Sequence, residues 1–553
     1  MIWLRVVTGA FEDGFMSYRI PKFSYWQDAP MPRNQLLLFA STLEERIPLD
    51  HPVRLLDEIL DELDWTKWEA VYIGKLGQPP IHPSVLCKVL LFALSRRIRS
   101  SRQIEYAVEH SIDFIWLTSG RKLDHSTLSE FRRKHEKELK DIYRQMIQLA
   151  ISMGVAKLSE LCIDGTKIRA DANRFKTYKR ENVSKFIEEL DGQIAEALSK
   201  LETSDALEDL FDDGQKADAL PSEIKDLKDR RAKLEAALSQ LTEMEEQRRQ
   251  DGIDNKKSPA QLPMSDTDSR ILPNKEGGYA PNYTPMAVTE TQSGFIVGNE
   301  VLIGNVEHIC MMKMIDAIEA DYQSHTETML ADGAYATGPN LAQAESRGME
   351  LLSPVRQEIA KADNPAYRED VSKPVPEADI PRLPINSTTK RFDRSAFIYD
   401  AEKDTYHCPE GKVLKREGTV EKTVIAGVPT ERKNYRCHDC AGCLLASLCR
   451  VNENSKTGRK VGHDEFQEIR ERHAERMQDA VVKERYKKRQ HYGETQFAFI
   501  KSHLGIRRFL LRGHKGVSQE WRWSCLTFNI KKLMPMWLKE RMQAKMEAST
   551  ASC

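Results

Sequence analysis

Leu161-Cys-Ile-Asp164-Gly-Thr-Lys167 and Thr328-Met-Leu-Ala-Asp332-Gly-Ala-Tyr335 each run a short apolar stretch into Asp-Gly. Such a run reads as a buried strand ending in a turn, which sets Asp164 and Asp332 at exposed strand ends. Taken alone, each Asp can also be a plain turn starter. A third stretch changes the weighing: Tyr486-Lys-Lys-Arg489-Gln-His-Tyr-Gly-Glu494-Thr-Gln-Phe-Ala-Phe-Ile-Lys501. Between Val481 and Gly516 ten Lys or Arg surround only two acids, Glu484 and Glu494, a poor composition for an ordinary surface helix. At roughly 3.6 residues per turn Glu494 and Lys501 share a face, Tyr486 lies about a quarter turn away and Arg489 further round. The alternative is a solvated basic helix with one incidental acid. Acids at two strand ends and on one basic helix are what two divalent ions need to flank a scissile phosphate, because magnesium prefers hard oxygen ligands.

Composition permits several domains without naming a partner. The chain has 553 residues, 40% of them hydrophobic, and a formal net charge of −1. That length divides into domains of about 100 to 200 residues. The near-neutral total hides a segregation: basic residues gather in the C-terminal block and around Arg96 to Arg102, while Glu181 to Glu246 is acidic. With no apolar run of about 18 residues and no signal-peptide pattern, the chain is expected to be cytoplasmic, with no membrane partner.

Residues 1–33 have no clear period and read as an irregular extension, in which Met16 or Met31 could be the true start. A helical domain is expected over 34–155. Val85, Val89, Leu90, Phe92, Ala93 and Leu94 follow His82-Pro83-Ser84, and a short helix follows the cluster Arg96-Arg97-Ile-Arg99-Ser-Ser-Arg102. Asp124-His-Ser126-Thr127 offers N-caps to a long helix carrying Phe131-Arg132-Arg133-Lys134. This suits a small DNA-binding unit, or a helical bundle that only supports the rest. Residues 181–255 predict a helical hairpin, with stripes Phe186, Leu190, Ile194, Ala197, Leu201 and Ile224, Leu227, Leu234, Leu238, Leu241 about a link at Asp212-Asp213-Gly214 and Pro221. Its role is a structural arm or a dimerisation element. From 265 the pattern turns to strands: Tyr283 to Thr289, a turn through Glu290 to Gly294, and Phe295 to Ile303. Asp266 and Asp268 are competing metal ligands but read as solvated loop acids. Trp521, Trp523, Phe528, Leu533 and Trp537 read as core, ahead of a tail at 541–553.

Five of the ten cysteines lie between Cys408 and Cys449. In a reducing compartment such a cluster reads as a structural zinc site, with Cys408, Cys440, Cys443 and Cys449 as ligands and Cys437 as substitute. Zinc would hold a knuckle at 361–464 that has little core of its own. The alternative is unliganded thiols in a disordered insertion.

Taken together, the Asp-Gly-Thr-Lys block, the Asp-Gly-Ala-Tyr block and the Tyr/Arg/Glu/Lys block resemble the DDE-type transposases of bacterial insertion sequences. The likeness continues through Leu504-Gly-Ile-Arg507-Arg508-Phe, Leu511-Arg512-Gly-His and Glu520-Trp521. It implies an α+β or α/β multidomain chain with a ribonuclease H-like catalytic core assembled from 156–180, 260–360 and 465–540. There the strand ending at Asp164 is joined by the 283–303 hairpin as second and third strands. It implies Asp164, Asp332 and Glu494 as ligands of Mg2+ or Mn2+, with Lys501, Tyr486 and Arg489 assisting. The commonest form of the signature has three residues between its Arg and Glu; here there are four, which turns Arg489 away from the Glu494 face unless the helix breaks at Gly493. The implied partner is double-stranded DNA, as terminal repeats and target, bound in the nucleoid by a homo-oligomer. Lys167, Arg132, Arg133, Lys487, Lys488, Arg507, Arg508 and Arg512 are the candidate DNA contacts. The resemblance implies cleavage at the element's ends and joining of the 3′-hydroxyls to target DNA. The rivals are a host nuclease of the same fold and a non-enzymatic DNA-binding regulator.

Overall fold

The computed structural model describes residues 42–73, 80–202, 222–250, 254–274, 277–355, 361–425, 427–450 and 457–551. The extension 1–33 and the link at Asp212, Asp213, Gly214 and Pro221 lie outside the described residues. The chain divides into two compact units, Met1–Pro48 and Leu49–Cys553. In the first, the stretch from Thr42 is a run of turns in which Thr42 and Glu45 cap each other's amides.

The second unit opens with six principal helices: α1 (Pro52–Asp61), α2 (Pro83–Ser95), α3 (Ser101–His110), α4 (Ile112–Thr118), α5 (His125–Arg133) and α6 (Glu136–Ser152). Their starts follow from local chemistry. Pro52 and Pro83 sit just inside α1 and α2, and the Asp124 carboxylate accepts from Ser126 N and Thr127 N at the start of α5. The long helix expected after Asp124 is two helices. His135 adopts a left-handed conformation (φ 66°) between them, and its Nε2 lies 2.9 Å from the Tyr72 hydroxyl while Trp68 and Phe131 pack beside the ring.

Seven strands form the first sheet: β1 (Glu160–Gly165), β2 (Ile168–Arg169), β3 (Arg270–Pro273), β4 (Tyr279–Glu290), β5 (Ile296–Leu302), β6 (Thr328–Leu330) and β7 (Glu350–Leu352). Across the C-terminal half of β4 the order is β5-β4-β1-β6-β7. The β5, β4 and β1 pairings are antiparallel, whereas β1, β6 and β7 run parallel. The expected hairpin is β4 and β5. Glu290 is fully buried at its turn, with its carboxylate accepting the amides of Gln292, Ser293 and Phe295. Helices α7 (Arg180–Glu202) and α8 (Ser222–Gln250) pack Val183 and Leu190 against Leu234, Ala237 and Leu241. Helices α9 (Met311–Tyr322) and α10 (Gly338–Ser346) follow β5 and β6.

The cysteine-rich segment is not the coreless knuckle that its sequence suggests. It holds a second, antiparallel sheet of β8 (Ile398–Asp400), β9 (Thr405–His407), β10 (Val413–Arg416), β11 (Glu421–Ile425), β12 (Val428–Cys437) and β13 (Lys460–Asp464). Phe392, Phe397, Leu414 and Val461 are buried in its own core. The rings of Tyr399, Tyr406, Tyr435 and His463 meet across its strands with centroids 4.4 to 6.3 Å apart.

Three helices close the chain: α11 (Gln467–Arg476), α12 (Ala480–Ser502) and α13 (Gly513–Ala551). Trp521, Trp523, Phe528 and Leu533 are buried on α13, as expected of core. Trp523 Nε1 donates to Arg132 O at 3.3 Å and Trp521 Nε1 to Met286 O at 3.0 Å, so one helix stitches the helical region to the sheet. Asn529 accepts from Ile296 N at 2.9 Å and donates to Ile296 O at 2.7 Å, capping the edge strand β5. Asp266 is not solvated: it is 4% exposed, accepts from Tyr283 OH at 2.7 Å and from Gly513 N at 3.1 Å. Asp268 accepts from His514 N at 2.8 Å, so both acids face the positive end of α13. No helix among the described residues is long and apolar enough to cross a membrane.

Arg99 and Glu520 form the buried knot of this assembly. Arg99 donates to Gly505 O (3.1 Å), Arg508 O (2.6 Å) and Glu520 Oε1 (2.7 Å), while Glu520 Oε2 accepts from Leu510 N and Leu511 N, both at 2.9 Å. Removing one partner of a buried pair leaves the other charge uncompensated. Arg99→Ala is expected to cost about 3 kcal/mol, read as a lowered denaturant midpoint, and an unchanged midpoint would remove this pair from the account of stability.

Candidate active site

Asp164 and Asp332 each lie two residues beyond the paired Cys162 and Leu330, on the parallel neighbours β1 and β6. The strands form because Leu161, Cys162, Ile163, Met329 and Leu330 are all fully buried. Asp164 is less exposed than a strand end suggests, its side chain retaining 13% exposure. Asp332 caps the turn Gly333–Tyr335, accepting from Ala334 N at 2.7 Å, and no cation lies within ion-pair distance of it among the described residues. Gly333 is required there, since a Cβ would lie 2.8 Å from Pro354 O.

Helix α12 lies across these strand ends and is unbroken at Gly493. A Cβ on Gly493 would stand 3.2 Å from Asp164 Oδ2, so the glycine lets the helix approach the carboxylate closely. Arg489, one turn earlier, reaches Asp164 Oδ2 at 3.4 Å. Five positions separate Arg489 from Glu494, a rotation of about 140°. The extra residue therefore does turn Arg489 from the Glu494 face, and onto Asp164. Glu494 is exposed. Lys501, on its face, donates to Thr166 Oγ1 (2.5 Å) and Lys167 O (3.0 Å), tying the loop after Asp164 to the helix. Tyr486 is half-buried against Cys162, Leu330 and Leu352.

Two residues that sequence reasoning gave no role complete the surroundings. Glu307, on the connection from β5 to α9, packs against the end of β1 at Gly165, where a Cβ would lie 2.6 Å from Glu307 Oε2. Lys167 Nζ holds Glu307 Oε1 at 2.5 Å. Tyr335 is fully buried, and its hydroxyl has no hydrogen-bond partner. Arg489 Nε is also buried without a partner. Each such donor costs about 1–3 kcal/mol unless something supplies an acceptor. No apolar run precedes Glu307, so the strand-then-acid pattern could not reveal it.

Burial lifts the Asp164 carboxyl to about 6, against the pull of Arg489 and the Gly165 amide, and the charges of Asp332 and Glu307 add to the rise. The donors are hard oxygens suited to Mg2+ or Mn2+. Among the described residues no three His, Cys, Asp or Glu groups stand together as a metal cage. Mg2+ commonly uses only one or two protein carboxylates and keeps its waters, so the Asp164 region fits such an ion.

The candidate DNA contacts divide by exposure. Arg132 is 8% exposed and donates to Arg99 O at 2.7 Å, which withdraws it from solvent and corrects its assignment as a DNA contact. Arg133, Lys487, Lys488, Arg507, Arg508 and Arg512 are exposed or partly so. Lys488 pairs with Glu160 at 3.1 Å, Lys487 with Glu484 at 2.5 Å, and Arg508 and Arg512 both pair with Asp171. Surface pairs of this kind are weak enough to exchange for phosphate. Lys167 is held by Glu307.

Cys408, Cys437, Cys440, Cys443 and Cys449 are free thiols in or against the core of the second sheet, and among the described residues no three of them are placed to hold a metal. Burial pushes the Cys449 thiol up to about 12, opposed by Arg459, with Cys408, Cys440 and Cys443 adding to the rise.

Residues 407–534 match the family described as Transposase DDE domain, and residues 41–134 match the one described as Transposase domain (DUF772). The first match contains Glu494 and neither aspartate. No curated protein matches the chain.

A cation at Asp164 must displace the proton that burial favours there. Its affinity is expected to fall by up to about tenfold per unit as pH drops below 6, read by Mn2+ titration; a flat profile from pH 7 to 5 would exclude Asp164 as a ligand.

Proposed function

Because the chain belongs to the DDE-type transposases of insertion sequences, we propose that it cleaves DNA at the ends of its element and joins the 3′-hydroxyls to target DNA. The observation that carries the reading is Asp164 and Asp332 side by side at the ends of parallel β1 and β6, with the basic helix α12 laid over them through Gly493 and Arg489. The sheet order β5-β4-β1-β6-β7, three strands antiparallel and two parallel, supports a ribonuclease H-like core. Mg2+ or Mn2+ held by Asp164, Asp332 and Glu494 would activate the attacking oxygen and stabilise the leaving one.

The protein's own groups orient and neutralise. Arg489 holds Asp164 against the helix and offsets its charge beside an incoming phosphate. Lys501 fixes Thr166 and the Lys167 carbonyl, so the loop after Asp164 keeps its aim. Tyr486, packed against Cys162 and Leu330 two residues before the aspartates, would steady the phosphate and the flanking strand. Exposed Arg133, Lys487, Lys488, Arg507, Arg508 and Arg512 bind the phosphate backbone without reading sequence. The protein acts in the cytoplasm on nucleoid DNA, as a homo-oligomer that bridges two ends.

Asp332→Ala is expected to abolish cleavage of linear DNA carrying the element's flanks while leaving salt-sensitive binding within about twofold. Cuts that persist in this variant would sink the assignment, and cuts without joining would leave a host nuclease. We propose further that Cys408, Cys440, Cys443 and Cys449 take a structural Zn2+, Cys437 being the substitute; their membership of, or packing against, one core supports it. Elemental analysis should find about one zinc per chain, lost in Cys443→Ser; zinc-free protein with an unaltered melting temperature would refute it.

A further inference from the structure

We propose that the turn at 173–176 is a DNA contact in which the Phe175 ring stacks on an unpaired base while Arg174 and Lys176 hold the flanking phosphates. This rests on the transposase reading for the identity of the partner and adds a base contact that none of the residues named above supplies.

The turn is braced on both sides. Asn173 Oδ1 accepts from Phe175 N at 2.9 Å, and Asn173 O accepts from Lys176 N at 3.1 Å. Beyond it, Met264 N donates to Lys176 O at 2.9 Å, and Tyr178 pairs with the fully buried Leu262 in a two-strand ladder. The Tyr178 ring meets Phe186 at 4.9 Å, against the core shared by α7 and α8. Before it, Arg169 N donates to Arg507 O at 3.3 Å, and Arg169 O accepts from Phe509 N at 2.8 Å. The Phe175 side chain at the tip is nevertheless 89% exposed.

A single exposed apolar side chain is ordinary. The charge around this one is not. Six Lys or Arg and one acid, Asp171, lie between Lys167 and Arg180. Arg174, Lys176 and Lys179 are exposed and make no ion pair among the described residues, whereas Arg508 and Arg512 share Asp171 and Arg180 takes Glu245 at 3.3 Å. Through Arg169 and Asp171 the turn continues the basic segment 507–512, where Leu510, 42% exposed between arginines, is a second apolar tip. The basic run ends where α7 turns acidic, at Glu181, Glu188 and Glu189.

Unanswered cations on both sides of a ring call for a polyanion that also carries flat apolar faces. A second copy presenting the same turn would set like charges face to face. DNA supplies phosphates to Arg174 and Lys176 and a base between them. A paired base hides its faces in the stack, whereas an unpaired one offers a face to the ring.

The test is equilibrium binding of the full chain, across a salt series, to a labelled duplex carrying the element's flanks and to the same duplex with a few bases unpaired at its end. Phe175→Ala should weaken binding to the unpaired form on the order of tenfold and to the paired form by no more than about twofold, and Phe175→Tyr should restore it. The double variant Arg174→Gln, Lys176→Gln should make the slope of log affinity against log salt shallower by about 1.5. The positions are exposed, so an unchanged melting temperature verifies the fold of each variant. A Phe175→Ala loss that is absent, or equal on both DNAs, overturns the proposal, as does an unchanged salt slope in the double variant. Altered sedimentation of Phe175→Ala with unaltered DNA affinity overturns it in favour of a contact between copies. A wild-type chain that binds neither DNA overturns the reading of the partner as well.

Discussion

A single buried carboxylate, Glu520, holds three separate pieces of chain at one point: Arg99 from the helical region, the amides of Leu510 and Leu511, and its own helix α13. The consequence reaches the strand ends. Arg99 also binds Gly505 O and Arg508 O, and its neighbour Arg97 donates to Ser502 O (2.6 Å) and His503 O (2.7 Å), the last carbonyls of α12. A helix C-terminus exposes carbonyls that need donors and favours positive charge. Arginines from the first hundred residues thus fix the end of a helix four hundred residues later. At the other end Asp479 caps α12 through Val481 N and Val482 N. With both ends anchored, the rotation of α12 is set, and with it the faces on which Arg489, Gly493 and Lys501 lie.

That rotation resolves the odd charge of the segment. Arg485 pairs with Glu350 at 2.7 Å and Glu160 at 3.5 Å, and Lys488 with Glu160 at 3.1 Å, so much of the basic character answers acids at the starts of β1 and β7. At the opposite ends of the strands the balance reverses. There Asp164 pairs with Arg489 and Glu307 with Lys167, while Asp332 has no ion pair among the described residues. Burial raises the proton affinity of Asp164, and the charges of Asp332 and Glu307 add to the rise.

The same contrast explains what could be read from the sequence. The strands that end near Asp164 and Asp332 were legible because an apolar run ending in Asp-Gly reads as a buried strand and turn, and the β4–β5 hairpin because alternation and turn residues coincide. The rotation of α12 was not, because it depends on the missing side chain of Gly493 against Asp164, a contact between segments more than three hundred residues apart. Arg132 looked like a DNA contact because a guanidinium has the same one-dimensional signature whether it meets phosphate or a buried carbonyl. Asp266 looked solvated for the corresponding reason; only the fold brings the start of α13 to it. The second sheet escaped because its strands of three to ten residues are too short to show a period, and its core is made of rings that meet only across strands.

If the arginines near residue 99 serve α12 and Glu520, affinity for DNA must come from elsewhere. Arg96, Arg133, Arg507 and Lys515 lie outside the buried knot, and the pairs of Arg508 and Arg512 with Asp171 are exposed on the arginine side. Asp171 follows Asp164 by seven residues on the same connection, so a phosphate that draws Arg508 and Arg512 from Asp171 acts on the loop that Lys501 and Lys167 hold. Backbone binding and the aim of the strand end proposed to be catalytic are then linked through one short segment, 164–171. Exposed ion pairs are cheap to exchange, whereas the Arg99–Glu520 knot is not. That difference in cost lets the DNA-facing side rearrange while α12 keeps its place over the acids.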